Sequence, residues 1–249
     1  MRRLFWYGGT FENILATAAP FVAAAGGEKA QIGLLFAVAT GWEPYLDRYR
    51  EPLLTLGAER VSVICPPLGS DRLDDAALEQ MRACTGLFMG GGDTRIYHAV
   101  YTQPKVRAAI RELYWRGVPY AGFSAGALIS PVDCTIWGDR LTTPGNTVFL
   151  RGSEDGCGAE LHLGEGLELI RDCLVEAHFA ERGGFPRLVA AMARRPVRYG
   201  IGLDNPICVE IRDEQEIRVH GRGRAYVLER RESGGLSVQV LEPGQRFTL

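Results

Sequence analysis

Pro119-Tyr120-Ala121-Gly122-Phe123-Ser124-Ala125-Gly126-Ala127 is the stretch that decides the fold. A short apolar run leads into Gly-x-Ser-x-Gly and small residues follow, the pattern of a strand that ends, turns sharply and opens a helix. In so tight a turn a Cβ at position 122 or 126 would run into neighbouring backbone, so glycine stands there. Ser124 is then presented at a strand end with a helix N-terminus beneath it, where a nucleophile would sit. A strand-to-helix turn with an idle serine is the plainer reading of the same residues, so the surroundings must decide.

Upstream of the turn, strand-like and helix-like runs alternate. Residues 3–7, 31–38, 60–64, 86–89 and 118–123 read as strands, and about 13–25, 43–56, 74–84 and 103–116 as helices. Asp74 is placed to cap the third helix, and Gly57 to stop the second. Near-continuous apolar strands alternating with helices imply a three-layer, doubly wound and mostly parallel α/β sheet. Sites in such sheets lie at the carboxyl ends of strands, and both Gly90–Asp93 and the serine turn have that address. After about residue 200 the texture changes to short strand-like runs at 207–211, 217–220, 224–229 and 236–241. They predict a C-terminal antiparallel β extension over 200–249, finishing the sheet or packed beside it, in a single domain of 1–249.

Composition narrows the function classes. Hydrophobic residues make up 46% and charged residues 23%, as in an average soluble domain, and the formal net charge of −2 excludes the basic footprint of a general nucleic-acid binder. No apolar run is long enough to span a bilayer, and the basic start lacks the long apolar segment and small-residue site of a signal peptide. The six cysteines are scattered, with no Cys-x-x-Cys, and read as reduced core residues of a cytoplasmic protein. Cys157 and His162 are a poor ligand pair, so neither a metal site nor a cofactor is expected. The Gly90–Gly92 loop is not a dinucleotide turn, because Arg95 stands where a third glycine is needed, and no P-loop is present.

A nucleophilic serine needs a base, and the base needs an orienting group. Of the four histidines, His178 closes an apolar strand, Cys173-Leu174-Val175-Glu176-Ala177-His178, at its carboxyl end. His98 falls on a helix after the glycine loop and could face the site; His162 and His220 read as surface residues. The oxyanion of a tetrahedral intermediate needs two donors about 3 Å away. The Ala125 N–H is one, and the other is expected from Gly91 or Gly92.

Three segments together, Gly122–Ala127, Met89-Gly90-Gly91-Gly92-Asp93-Thr94 and Ala177-His178-Phe179, resemble the cyanophycinase and aspartyl dipeptidase family of serine peptidases in order and rough spacing. The resemblance implies a class I glutamine-amidotransferase-like, flavodoxin-like fold, with Ser124 matching the family nucleophile and His178 its base. In the dipeptidase branch an aspartate follows the serine by fifteen residues, which here is Asp139; Asp133 and Glu154 are its competitors. Arg182 and Arg187 match arginines that hold an aspartate–arginine unit in cyanophycinases, while Gly184 replaces another and Glu176-Ala177 replaces Asp-Gln. With Asp93 and Glu176 they form the expected substrate-binding set, in a pocket altered from that of cyanophycinases. The function this implies is a serine-type, dipeptidase-like hydrolase acting on a small peptide or isopeptide. No nucleic-acid or membrane partner is expected, and a homodimer is left open. The alternatives are a non-catalytic small-molecule-binding member of the fold and an esterase-type acyl hydrolase.

Overall fold

The computed structural model describes residues 1–150 and 158–249. The chain opens with β1 (Arg3–Tyr7), α1 (Glu12–Thr17), α2 (Ala19–Ala24), β2 (Gln31–Leu35), α3 (Leu46–Thr55), β3 (Arg60–Ile64), α4 (Asp75–Arg82) and β4 (Gly86–Met89). It continues through α5 (Thr94–Tyr101), α6 (Pro104–Trp115), β5 (Tyr120–Phe123), α7 (Ala125–Leu128), β6 (Asp133–Trp137), β7 (Arg140–Thr143), β8 (Asn146–Phe149), β9 (His162–Glu165) and β10 (Cys173–Ala177). The remainder is α8 (Phe185–Arg194), β11 (Tyr199–Leu203), β12 (Ile207–Arg212), β13 (Glu216–Gly221), β14 (Ala225–Arg230), β15 (Leu236–Leu241) and β16 (Arg246–Thr248).

Local chemistry explains several boundaries. Asp74 accepts the Ala77 N–H at 2.8 Å, the expected cap of α4. Pro104 opens α6, where its missing N–H costs nothing. The helix expected over 13–25 is two, because Pro20 has no N–H to continue the ladder, and the chain restarts after Ala18. The run at 43–56 likewise begins as a short 3₁₀ turn at Glu43–Tyr45 before α3.

Eight strands form the main sheet in the order β16-β13-β12-β1-β5-β4-β2-β3. The β1, β5, β4, β2 and β3 ladders are parallel, and β12 joins β1 antiparallel. A second sheet, β10-β11-β14-β15, has β10 and β11 parallel and the rest antiparallel. The C-terminal strands therefore do both things expected of them: β12, β13 and β16 finish the main sheet, while β14 and β15 build the second. One core cluster joins the two sheets through Trp6, Met89, Val175, Ile201 and Val227. Another, with Phe5, Phe21, Phe88 and Ala121, packs α1 to α3 on the opposite face of the main sheet.

Register brings the loops of interest together. Tyr7 pairs with Phe123 and Met89 with Gly122, so the chain leaves β1, β4 and β5 side by side at one sheet end. Ala177 pairs with Leu203, so the segment leaving β10 meets the segment leaving β11.

Candidate active site

The turn after β5 is built as its glycines imply. A Cβ on Gly126 would come within 2.7 Å of the Met89 carbonyl oxygen, and one on Gly122 would overlap the Gly126 backbone. The Tyr120 hydroxyl donates to the Gly126 carbonyl at 2.8 Å, and the buried Trp6 indole donates to Ser130 Oγ at 2.6 Å. These bonds clamp the strand and the short helix around Ser124, which sits at φ 50°, ψ −107°. A non-glycine residue there costs on the order of 1–3 kcal/mol and persists only where the surroundings over-determine it. The Ser124 N–H donates to the Tyr7 carbonyl at 3.0 Å, which extends β1–β5 pairing to the nucleophile.

His178 also has a left-handed backbone, φ 53°, directly after β10. Its position is set by the parallel neighbour. The Phe179 N–H donates to Leu203 O at 2.9 Å, and the Ala180 N–H to Asp204 Oδ1 at 3.2 Å. The Asn205 N–H returns to Glu181 Oε1 at 2.9 Å. The result is a Ser124 Oγ to His178 Nε2 separation of 2.8 Å, a hydrogen bond across two sheets. On the other side of the ring, His178 Nδ1 is bonded to Asn205 Oδ1. An Nδ1–H donated to that oxygen leaves Nε2 as the acceptor for the serine proton. Gly9 closes the back of the pair, since a Cβ there would overlap the imidazole and lie 2.7 Å from Asn205 Oδ1.

The side chain bonded at Nδ1 is Asn205, where the sequence reading looked for Asp139. Asp139 is buried in the β6–β7 connection, where its N–H donates to Ala159 O at 3.1 Å. Asp133 faces Arg195 at 3.0 Å, and Glu154 lies outside the described residues. His98 does not join the site; its Nε2 meets Glu165 O at 2.8 Å. His162 is exposed on β9, as expected. His220 is not a plain surface residue, because its Nε2 lies 3.2 Å from the buried Glu210 carboxylate.

Of the expected oxyanion donors, Ala125 begins α7 directly after Ser124. Gly91 lies against the serine, since a Cβ there would sit 3.2 Å from Ser124 Cβ, but its N–H is taken by Tyr49 Oη at 3.0 Å. Gly92 lines the same cavity. The substrate-binding set divides. Arg182 lines the cavity with Ser124 and His178. Asp93 lines it too, while capping α5 and bonding Arg95, whose hydrogen bonds hold its carboxyl below the usual range. Arg187 and Glu176 are buried and pair with each other, Nη1 to Oε1 at 2.8 Å, with the Arg187 Nε donating to Gly138 O at 2.7 Å. The segment after His178 does not bend over the site at 187, because α8 begins at Phe185 and turns Arg187 inward.

The cavity measures about 680 Å³, and Phe11, Phe36, Trp42, Tyr45, Tyr49 and Phe123 are among the residues that line it. A larger, more open hollow of about 1020 Å³ lies at the end of α8, around Arg195 and Arg231, and is lined by neither Ser124 nor His178. The chemistry belongs to the smaller one, which alone of the two holds the serine–histidine pair. Asn205 and this aromatic wall escaped the sequence reading. A strand assignment at Tyr199–Leu203 would have placed Asp204-Asn205 at a carboxyl end beside His178; the rings came from separate loops with no shared spacing. Among the described residues no group of His, Cys, Asp and Glu could hold a metal ion, and no helix is long and apolar enough to cross a membrane.

Fold and site define an α/β protein with a strained serine and a histidine held together at adjoining strand ends. The sequence model of peptidase family S51 matches residues 13–219, and the chain belongs to that family; it is a peptidase. A cyanophycinase of Synechococcus elongatus is 27% identical over 234 residues, covering 92% of this chain and 69% of the relative. A cyanophycinase of Geminocystis herdmanii is 27% identical over 208 residues, covering 82% of this chain and 71% of its own. The crystal structure of a peptidase from an acI-B1 Actinobacterium superposes with a TM-score of 0.70 at 16% identity, covering 100% of this chain and 97% of that one. A putative peptidase E protein of Listeria monocytogenes gives 0.57 at 16%, covering 90% and 100%. At these identities the two structures speak to the fold.

Proposed function

We propose that this peptidase is of the serine type and hydrolyses short peptide or isopeptide bonds through an acyl-enzyme. Ser124 Oγ attacks the scissile carbonyl as His178 Nε2 takes its proton, and the C–N bond breaks as the imidazolium returns that proton to the leaving amine. Water, activated by the same Nε2, then splits the ester and regenerates Ser124. The Ala125 and Gly92 N–H groups receive the oxyanion. Asn205 holds the imidazole in the productive tautomer. Being neutral, it stabilises the imidazolium less than a carboxylate would. Arg182, at the cavity wall, is the group to grip a substrate carboxylate through its planar fork.

The observation that carries this reading is the 2.8 Å Ser124–His178 contact beside a strained Ser124 backbone. The test has two arms. A fluorophosphonate should label the protein at Ser124, and a library of dipeptides and isodipeptides should be cleaved by wild type. Ser124→Ala should lose labelling and lower kcat by on the order of 10⁴ or more with the fold intact. Turnover by Ser124→Ala above about a tenth of wild type would remove the serine from the mechanism. Faster cleavage of matched esters than of every peptide in the panel would move the protein to the acyl-hydrolase reading.

A further inference from the structure

Ring faces line the cavity that holds the serine, and the polar tips of Trp42, Tyr49 and Tyr97 are already engaged. Trp42 Nε1 donates to Ala39 O at 3.1 Å. Tyr49 Oη accepts the Gly91 N–H at 3.0 Å, and burial pushes its phenol up, so it stays neutral. Tyr97 Oη donates to Gly91 O at 3.1 Å. The rings are also fixed against each other. Phe36 stacks on Trp42 with centroids 5.4 Å apart and planes 5° apart. Phe11 stacks on Phe123 at 4.9 Å and 22°, with Tyr49 edge-on to both. Such a wall offers flat apolar contact and shape rather than hydrogen bonds.

The charges around it argue against a cationic guest, the other class that ring faces attract. Among the described lining residues Asp93 is the acid, and Arg95 already neutralises it at 3.0 Å. The Arg48 guanidinium occupies a position 5.1 Å over the Phe11 ring, and Arg182 adds a further positive charge at the cavity wall. A guest guanidinium would add to the Arg48 and Arg182 charges, and among the described lining residues Asp93, already paired with Arg95, is the acid it could meet.

From these faces and charges we infer that the cavity selects a peptide with an aromatic or similarly planar apolar side chain on a residue at the scissile bond. The inference rests on the peptidase reading for its site and names the substrate class. Tyr49 bridges the Phe11–Phe123 stack and Phe36, so the substrate ring is to lie against the cavity side of these faces while the carbonyl meets Ser124.

The test pairs binding with turnover. Calorimetry on Ser124→Ala should find dipeptides carrying Phe or Trp, in one of the two positions, bound at least tenfold more tightly than the alanine analogues, and more tightly than the arginine ones. On wild type the same pairs should differ in kcat/KM by roughly tenfold to a hundredfold, the range a buried hydrophobic group discriminates. Trp42→Ala and, separately, Phe11→Leu should shrink the Phe-to-Ala ratio at least fivefold, the alanine peptide serving as reference within each variant. Two substitutions in different loops guard against one that misfolds. Equal binding of ring and alanine peptides in both positions, or tighter binding of arginine peptides, overturns the inference even if the serine mechanism holds. Ring-selective binding to Ser124→Ala upholds it even if the covalent mechanism fails.

Discussion

At the scale of single residues, the site depends on two backbones held in the left-handed region, Ser124 and His178, and on the amide at Nδ1. In the proposed mechanism Asn205 does for the imidazole what an acid was expected to do, but without charge. Asn205→Ala should therefore lower kcat by on the order of 10² with little change in KM, because the tautomer and ring orientation loosen while the cavity wall is untouched. Steady-state kinetics on Asn205→Ala and Asp139→Asn side by side will assign the role. An Asp139→Asn enzyme that loses as much kcat, with Asn205→Ala silent, would return it to the acid.

At the scale of elements, two buried ionic clusters fix pieces of the scaffold. The Arg187–Glu176 pair ties α8 to β10, the strand that delivers His178. Removing one partner leaves a buried charge, so Arg187→Met should destabilise by roughly 3–5 kcal/mol, whereas Arg187→Met with Glu176→Leu should recover most of that. Denaturant midpoints of the three proteins decide it; a double variant no better than the single one would mean the pair is not the unit. The second cluster surrounds Glu210 on β12. Burial alone would raise its carboxyl, but hydrogen bonds from His220, Arg212 and Arg3 outweigh that and hold it far below the usual range. A carboxyl depressed in the folded state adds stability that is fully present above its unfolded pKa and is lost as pH falls towards the folded one. Glu210→Gln should thus lower stability by roughly 3 kcal/mol at neutral pH, the gap to wild type narrowing below about pH 4. A gap in Tm that stays constant from pH 7 to pH 3 would count against this linkage.

At the scale of the whole molecule, the serine and the histidine bonded to it come from different sheets. Ser124 follows a strand of the main sheet and His178 one of the second, and the shared cluster around Trp6, Val175 and Ile201 keeps the sheets in register. The C-terminal strands are woven into both sheets, β12 against β1 and β14 against β11. Unfolding should therefore be one cooperative event. Far-ultraviolet circular dichroism and tryptophan fluorescence should give coincident denaturant transitions. Two separated transitions would mean the β-rich tail folds as a unit of its own.

Within the sequence, the serine turn, the alternation of strands and helices, the Asp74 cap and the loop at Gly90–Gly92 were all legible. Each depends on neighbours within a few residues: glycine where a Cβ has no room, a short acid before a helix, apolar runs of strand length. His178 was legible as a strand-end histidine, and its pairing with Ser124 through the family resemblance. What only the tertiary structure decided depends on residues far apart in the chain. Asn205 reaches Nδ1 because β11 runs parallel to β10, and nothing near position 205 announces that neighbour. Arg187 turns inward because the packing of α8 on β10 and β11 buries it against Glu176, which local pattern cannot distinguish from a side chain aimed at substrate. The aromatic wall assembles from the loops after β1 and β2, the end of β5 and α3, which share a cavity because the main sheet brings those ends together. Short-range sterics and capping are written along the chain, whereas partner choice across sheets is set by long-range pairing and burial.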